Sequence, residues 1–111
     1  MRTIGPEKRF ENKIKEFISQ QNGWYVKFFA NKMTKVGVPD ILACINGYFI
    51  GIEVKSDSGE PSKLQIRQCQ LIREAGGFSF IVYPSGFEKL KKIIMGLRHD
   101  DFDRTTEIIL K

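Results

Sequence analysis

Two β-rich segments flank an Asn46-Gly47 pair, and no other feature constrains the fold of this chain as strongly. The segments cover residues 38–45 and 48–55. An Asn-Gly pair between such segments is typical of a two-residue β-hairpin, because both turn residues need a positive φ. A turn at this point pairs Ile45 with Tyr48, so the numbers of facing residues always add up to 93.

This register brings chemically active side chains together. It predicts that Asp40 faces Glu53, and directly opposed side chains have Cβ atoms about 4.5–5.5 Å apart. Lys55 shares the side of Glu53, because successive strand side chains alternate between the two faces. Ile52 and Val54 then point the other way, into the core. We therefore expect two carboxylates and an ammonium group on one side of a sheet.

Two interpretations of this cluster follow from the residues alone. Opposed carboxylates repel each other, and a divalent cation that binds both would relieve the repulsion. Mg²⁺ suits such a site, because it prefers oxygen ligands and keeps several waters. Alternatively, Lys55 forms a salt bridge with one carboxylate on a solvated sheet face. The spacing leaves both interpretations open.

The remaining patterns predict an α/β fold with a mixed four-stranded sheet flanked by helices. Apolar residues at helical spacing, the alternation typical of strands, and a capping-box pattern at Ser62 and Gln65 mark the elements. In order, we predict a helix at 7–21, strands at 24–30, 38–45 and 48–55, a helix from Ser62 to Gly76-Gly77, a strand at 78–83 and a helix opened by Ser85 and Glu88. The pattern over 98–111 does not decide between strand and helix.

Length and composition fit one domain over 1–111, with 41% hydrophobic residues. The formal net charge of +5 favours a nucleic-acid partner, because cationic side chains displace the counterions of phosphates. No apolar run approaches the roughly 20 residues that span a bilayer, and no secretory signal is visible, so we expect neither a membrane span nor secretion. We expect Cys44 and Cys69 to be buried thiols, with a disulfide as the less favoured alternative.

The hairpin residues also form a recognisable motif. Gly37-Val38-Pro39-Asp40, followed by the hairpin and by Glu53-Val54-Lys55, resembles the motif of the PD-(D/E)xK nuclease superfamily. With Glu11 in the first helix and Gln65 in the helix after the motif, the chain resembles the virus-type replication-repair nuclease (VRR-NUC) family. The resemblance covers about residues 10–83 and implies a restriction-endonuclease-like αβββαβ core.

The resemblance implies a metal site. Asp40 and Glu53 would bind Mg²⁺ through their carboxylates and Val54 through its backbone carbonyl, with Mn²⁺ able to substitute. Glu11 would stand beside the metal as a further ligand. The alternative for Glu11 is an ordinary solvated charge on the helix.

The resemblance also implies roles in catalysis. Lys55 would orient the attacking water and stabilise charge at the scissile phosphate. Gln65 would support Lys55 or a phosphate oxygen. The alternative for Gln65 is that it serves only as the capping-box partner of Ser62.

The activity implied by the resemblance is that of a DNA endonuclease. It would be selective for branched or four-way-junction DNA and would act in phage or prophage replication, recombination or repair, in the cytoplasm of a bacterial host. A restriction-type duplex endonuclease and a catalytically silent DNA-binding module are the alternatives. A silent module would be expected to have lost an acid or the lysine, whereas Asp40, Glu53 and Lys55 are all present.

DNA contacts and a dimer complete the expectations. Basic residues before the motif and in the following helix are candidates for phosphate contacts, and the apolar residues of the tail are candidates for the interface of a two-fold homodimer. The candidate DNA contacts are Lys27, Lys32, Lys35, Lys63 and Arg67, with Arg73 on the same rim, and the candidate dimer contacts are Phe102, Ile108, Ile109 and Leu110.

Overall fold

The computed structural model describes residues 4–29, 36–97 and 107–111. Lys32, Lys35 and Phe102, which the sequence suggested as contacts, lie outside these ranges. The elements are α1 (Pro6–Gln20), β1 (Trp24–Lys27), β2 (Ile41–Ile45), β3 (Tyr48–Val54), α2 (Lys63–Glu74), β4 (Phe78–Val82), a 3₁₀ turn (Pro84–Gly86), α3 (Phe87–Gly96) and β5 (Ile109–Leu110).

The sheet is mixed and follows the order of the chain, β1-β2-β3-β4-β5. The first three strands pair antiparallel, whereas β3, β4 and β5 pair parallel. The predicted α/β class and mixed sheet are confirmed, but the described residues form a sheet of five strands instead of four. The extra strand, β5, is only two residues long. It is a strand because it pairs with β4, and this pairing cannot be predicted from the local sequence.

The hairpin between β2 and β3 has the predicted register. Ile45 pairs with Tyr48, and Ile41 pairs with Ile52. Asn46 and Gly47 have φ values of 53° and 86°, as a type I′ turn requires. The second strand begins at Ile41 and not at residue 38, so Asp40 lies in a bend just before it.

The main core fills the space between the sheet and the two helices α1 and α3. One side of the sheet supplies Ile50, Ile52 and Val54, all buried, and α1 covers them with Ile14 and Ile18. This confirms that Ile52 and Val54 point away from Glu53. Aromatic rings from α1 and α3 close the layer with edge-to-face contacts between Phe10 and Phe87 and between Phe17 and Phe87.

Helix α2 covers part of the opposite side of the sheet, over β3 and β4. A Cβ atom at Gly51 would lie 3.1 Å from the Ile72 side chain, so this glycine lets the helix approach closely. Cys69 and Ile81 pack in a second, smaller apolar cluster here. On the same side, β1 and β2 have no covering helix among the described residues.

Three sequence expectations are corrected here. Cys44 is exposed, not buried, because it lies on the uncovered side of β2; both cysteines are free thiols. Ser85 does not cap α3: it belongs to the 3₁₀ turn, and Gly86 occupies the N-cap. Of the tail, Leu110 is buried in β5 and Ile108 packs on the second cluster, so both serve the sheet edge. None of the described helices is long and apolar enough to cross a membrane.

Candidate active site

Asp40 is fixed from two directions. Its backbone carbonyl accepts a hydrogen bond of 2.7 Å from the Phe28 N–H, and its Oδ2 accepts one of 2.9 Å from the Val54 N–H. The Asp40 side chain therefore accepts the hydrogen bond from the Val54 N–H that a backbone carbonyl would accept if the β2–β3 ladder continued. Pro39 precedes it and ends the regular ladder, because proline has no N–H to donate to the neighbouring strand.

Gly37 sets the path of the chain into Asp40. Its φ is +85°, a conformation that side-chain-bearing residues rarely adopt. A Cβ atom there would lie 2.6 Å from the backbone oxygen of Leu64 and 2.9 Å from the backbone nitrogen of Gln65. The glycine therefore lets this loop pack directly on the first turn of α2, next to the side chain of Gln65.

Glu53 is a nearly buried carboxylate, 5% exposed, on the α2 side of β3. Its Oε2 accepts a hydrogen bond of 2.8 Å from Gln65 Nε2, and Lys55 Nζ lies 4.0 Å from the same oxygen. Burial and, after it, the negative charge of Asp40 raise the pKa of Glu53 to about 8, while the positive charge of Lys55 opposes the shift. Asp40 and Glu53 thus interact electrostatically, as the hairpin register predicted.

Gln65 forms the capping box that the sequence offered as one alternative, and it also contacts the candidate site, through Glu53. Its backbone N–H donates to Ser62 Oγ across 3.1 Å, and its Oε1 accepts from the Ser62 N–H across 2.9 Å, which completes a capping box. Because the oxygen is taken up by the cap, the NH₂ group is the end that faces Glu53. The side chain supports Glu53 directly; the expected support of Lys55 is not among its contacts.

Lys55 continues the sheet beyond β3, since its N–H donates to the Val82 carbonyl across 2.9 Å. The loop after it is held by a 2.6 Å hydrogen bond from Tyr83 Oη to the Gly59 carbonyl. A Cβ atom at Gly59 would lie 3.2 Å from Lys55 Cδ, so this loop packs on the lysine stem. The ammonium group is thereby restricted to the neighbourhood of Glu53.

Glu11 lies on α1 and is surrounded by lysines. Lys27 Nζ is 2.5 Å from one of its carboxylate oxygens, and the ammonium groups of Lys8 and Lys15 lie 2.7 Å and 3.0 Å from the other. Burial opposes ionisation of Glu11, but the hydrogen bonds from Lys27, Lys8 and Lys15 outweigh it and lower its pKa to about 2.

Lys27 connects the two acids. Its Nζ also lies 3.5 Å from Asp40 Oδ1 and so stands between Glu11 and Asp40. Among the residues that the structure describes, no three His, Cys, Asp or Glu side chains come together as a metal site. The expected grouping of Glu11 with Asp40 and Glu53 is therefore not what the structure brings together.

The fold matches solved nuclease structures. A structure described as a VRR_NUC domain superposes with a TM-score of 0.68 and 25% identity, over 86% of this chain and 100% of that chain. The chain has a VRR_NUC-type nuclease fold. Hjc, a Holliday junction resolvase of Archaeoglobus fulgidus, superposes with a TM-score of 0.54 and 19% identity, over 68% of this chain and 66% of that chain. No protein-family model and no curated protein matches the sequence.

The donor groups of this site fit a hard divalent cation. Asp40 and Glu53 supply carboxylate oxygens, and a raised pKa at Glu53 marks a site where a further positive charge is favourable. The register sets Val54 opposite Pro39, which has no N–H to give to the Val54 carbonyl. Two carboxylates and one carbonyl leave room for several waters, as Mg²⁺ requires.

The other basic residues suggested by the sequence have different environments. Lys63 is exposed at the start of α2, and Arg67 pairs with Glu74 across 3.6 Å on the surface. Arg73, in contrast, is used inside the fold: its guanidinium donates to the carbonyls of Ser79 and Glu107. It joins α2 to β4 and to the tail and does not line a rim.

Lys8 and Lys15 were missed by the sequence reasoning. They lie three residues before and four residues after Glu11, the spacing at which helical side chains meet. That spacing was a visible signal. The position of Lys27 beside them was not, because it depends on how α1 packs on β1.

Proposed function

We propose that this protein is a metal-dependent deoxyribonuclease that hydrolyses phosphodiester bonds in branched DNA. The observation that carries the proposal is the Glu53 carboxylate, buried beside Asp40 and held by Gln65 and Lys55. Such an arrangement costs free energy in a metal-free protein, because burial and a like charge both oppose ionisation. A divalent cation would convert that cost into binding energy.

In this proposal Asp40, Glu53 and the Val54 carbonyl hold Mg²⁺, with Mn²⁺ as a substitute. When bound, the cation would polarise the scissile phosphate and supply a nucleophile by lowering the pKa of water. Glu11 is left out of the ligand set, because its carboxylate is engaged by three ammonium groups.

The protein groups around the cation orient the reaction. Lys55 directs an ammonium group into the site, where it can hold the attacking water and offset charge at the phosphate. Gln65 holds one oxygen of Glu53, and Asp40 is held by the Val54 N–H, so both carboxylates are oriented before the substrate binds. Such preorganisation is a large part of what an enzyme site contributes to catalysis.

Branched DNA is proposed as the substrate for two reasons. Hjc, which resolves Holliday junctions, shares the fold. The net charge of +5 also favours contacts with the phosphate backbone, which carry no base-sequence information. Action in phage or prophage replication, recombination or repair, within the bacterial cytoplasm, belongs to the same proposal and comes from the motif resemblance.

A two-fold homodimer is part of the proposal, since two cuts in one encounter need two sites. The uncovered side of β1 and β2, with the exposed Phe49 of β3 beside it, offers an apolar surface for it, now that Ile108 and Leu110 are assigned to the sheet edge. Trp24 is 63% exposed, Phe49 is also exposed, and the strand register aligns both with the exposed Cys44. Clustered exposed apolar groups mark interaction surfaces.

The test is cleavage of a synthetic four-way junction by the purified protein with Mg²⁺, beside a linear duplex of the same sequence. We expect cleavage of the junction, and none by an Asp40→Asn variant purified in parallel. A well-folded protein that cuts neither substrate with Mg²⁺ or Mn²⁺ would contradict the proposal. Cleavage of the duplex alone would favour the restriction-type alternative.

A further inference from the structure

Three ammonium groups meet at one buried carboxylate on the α1 side of the sheet. Lys8 and Lys15 reach Glu11 from its own helix, and Lys27 reaches it from β1. We call Lys8, Lys15 and Lys27 the lysine cluster. One lysine would already pair Glu11, and bringing further cations together costs free energy through their mutual repulsion. The second and third lysines therefore add more positive charge than the pairing of Glu11 needs.

The cluster carries a positive excess. Glu11 stays ionised, since the hydrogen bonds from these lysines outweigh its burial and lower its pKa to about 2. Three ammonium groups against this one carboxylate leave two positive charges in excess. Each ammonium has three N–H donors, so a bond to Glu11 leaves donors for another anion.

The cluster also adjoins the carboxylate site. Lys27 lies 3.5 Å from Asp40 Oδ1, and Lys8 is more than half exposed, so the cluster extends from the site to the surface. A phosphate near Asp40 and Glu53 meets negative charge, and cations beside them would offset that repulsion. An anion bound by the cluster would therefore lie next to the position of the scissile phosphate.

We propose that the lysine cluster, gathered by Glu11, binds an internal phosphate of the DNA backbone next to the scissile one. The proposal rests on the proposed action on DNA for the identity of the anion. Glu11 then acts as the organiser of a phosphate-binding site and not as a ligand of the metal. Its carboxylate holds three flexible side chains in one place, which lowers the entropy that each loses on binding.

The experiment measures binding without cleavage. A fluorescent four-way junction with 5′-hydroxyl ends is titrated with protein in excess chelator, over a series of salt concentrations. Each phosphate that a lysine neutralises contributes about −0.9 to the log–log slope on duplex DNA. Lys8→Gln with Lys15→Gln should make the slope shallower by about 1 to 2, whereas the control pair Lys89→Gln with Lys92→Gln on α3 should not.

The control pair removes the same charge from an exposed helix face. Equal slopes for the two pairs would overturn the proposal, because net charge alone would then explain the binding. A junction with 5′-phosphate ends should bind with unchanged affinity. Binding that depends on those end groups would also overturn the assignment to an internal phosphate.

Glu11→Gln separates the organiser from simple charge counting. Removing a negative charge should tighten DNA binding if only charge matters, whereas loss of the common partner of the lysines should weaken it. Tighter binding by a folded Glu11→Gln protein would overturn the proposal. If that variant fails to fold, the Lys8–Lys15 pair decides alone, since it leaves the Lys27–Glu11 contact in place. Cleavage is measured separately. A protein that shows the expected salt slopes but no cleavage would therefore contradict the proposed nuclease function and still support phosphate binding by the lysine cluster.

Discussion

The side-chain amide of Gln65 donates a hydrogen bond to the Glu53 carboxylate across 2.8 Å while its oxygen accepts from the backbone of Ser62. The cap of α2 therefore determines which end of the amide meets the acid. A residue that begins a helix thereby also orients a candidate metal ligand.

Gln65→Leu should lower cleavage by roughly 10–100-fold, the usual cost of losing a group that supports a metal ligand. It also breaks the capping box, so Ser62→Ala serves as the matched control. That change should cost about 1 kcal/mol of stability and leave cleavage nearly unchanged, because Gln65 can still donate to Glu53. Kinetics and thermal unfolding of both variants check this, and equal activity losses would contradict the proposed role of the amide.

Asp40→Asn, Glu53→Gln and Lys55→Ala should each reduce cleavage by at least about 100-fold while the fold is retained. Each change removes a charge that the proposed reaction uses, and each side chain keeps or reduces its size. Junction cleavage and circular dichroism provide the two measurements. Wild-type rates in any one variant would remove that residue from the mechanism.

The pH dependence of metal-free stability should report Glu53. Its pKa rises from 4.5 to about 8 on folding, mainly through burial. The unfolded chain therefore loses its proton first, and the free energy of unfolding should fall as pH rises through that interval. Glu53→Gln should flatten this decline and raise Tm at pH 8.5 by roughly 4–8 °C for each kcal/mol relieved. Parallel pH profiles for the variant and wild type would contradict the shift.

The choice of cation should separate binding from turnover. Mg²⁺ and Mn²⁺ should support cleavage, whereas Ca²⁺ should bind with little turnover, because it accepts more ligands at longer distances and in looser geometry. Both outcomes can be read from thermal shifts and from cleavage in the same buffers. Full activity in excess chelator would rule out a metal-dependent reaction.

Gly37→Ala should lower the free energy of unfolding more than Gly76→Ala. Both glycines have a positive φ, +85° and +100°, so each substitution costs roughly 1–2 kcal/mol in backbone strain. Only at Gly37 would the new Cβ also lie 2.6 Å from the backbone of α2; at Gly76 nothing lies within 4 Å. Chemical denaturation of the two variants measures the difference, and equal losses of stability would show that the loop does not pack on α2 as described.

The dimer can be tested at the uncovered sheet face. Light scattering should give about twice the monomer mass of 12.8 kDa for the wild type. The Trp24→Lys variant should have the mass of a monomer. Met95→Lys, which changes an exposed apolar residue on α3, is the matched control and should not. Cys44 is exposed in the monomer, so its thiol should react more slowly with maleimide in the dimer. A monomer with full junction-cutting activity would refute the dimer.

The features that could be predicted from the sequence alone are those set by local sequence patterns. The hairpin register follows from Asn46 and Gly47, because few residues accept the turn conformation, and that register sets Glu53 near Asp40. The capping box at Ser62 and Gln65 follows from residues three apart. In these cases the interacting groups are close in sequence or are fixed by a single turn.

Tertiary packing decided the rest. Glu11 is paired by Lys27, sixteen residues away, only because α1 lies against β1. The tail becomes a fifth strand because β4 offers it an open edge, and Cys44 is exposed because α2 covers β3 and β4 but not β2. The sheet face that each helix covers depends on how elements far apart in the sequence pack together. The sequence by itself therefore determined the positions of Asp40, Glu53 and Lys55 on the hairpin, while the partners of Glu11 were set only by the packing of the folded chain.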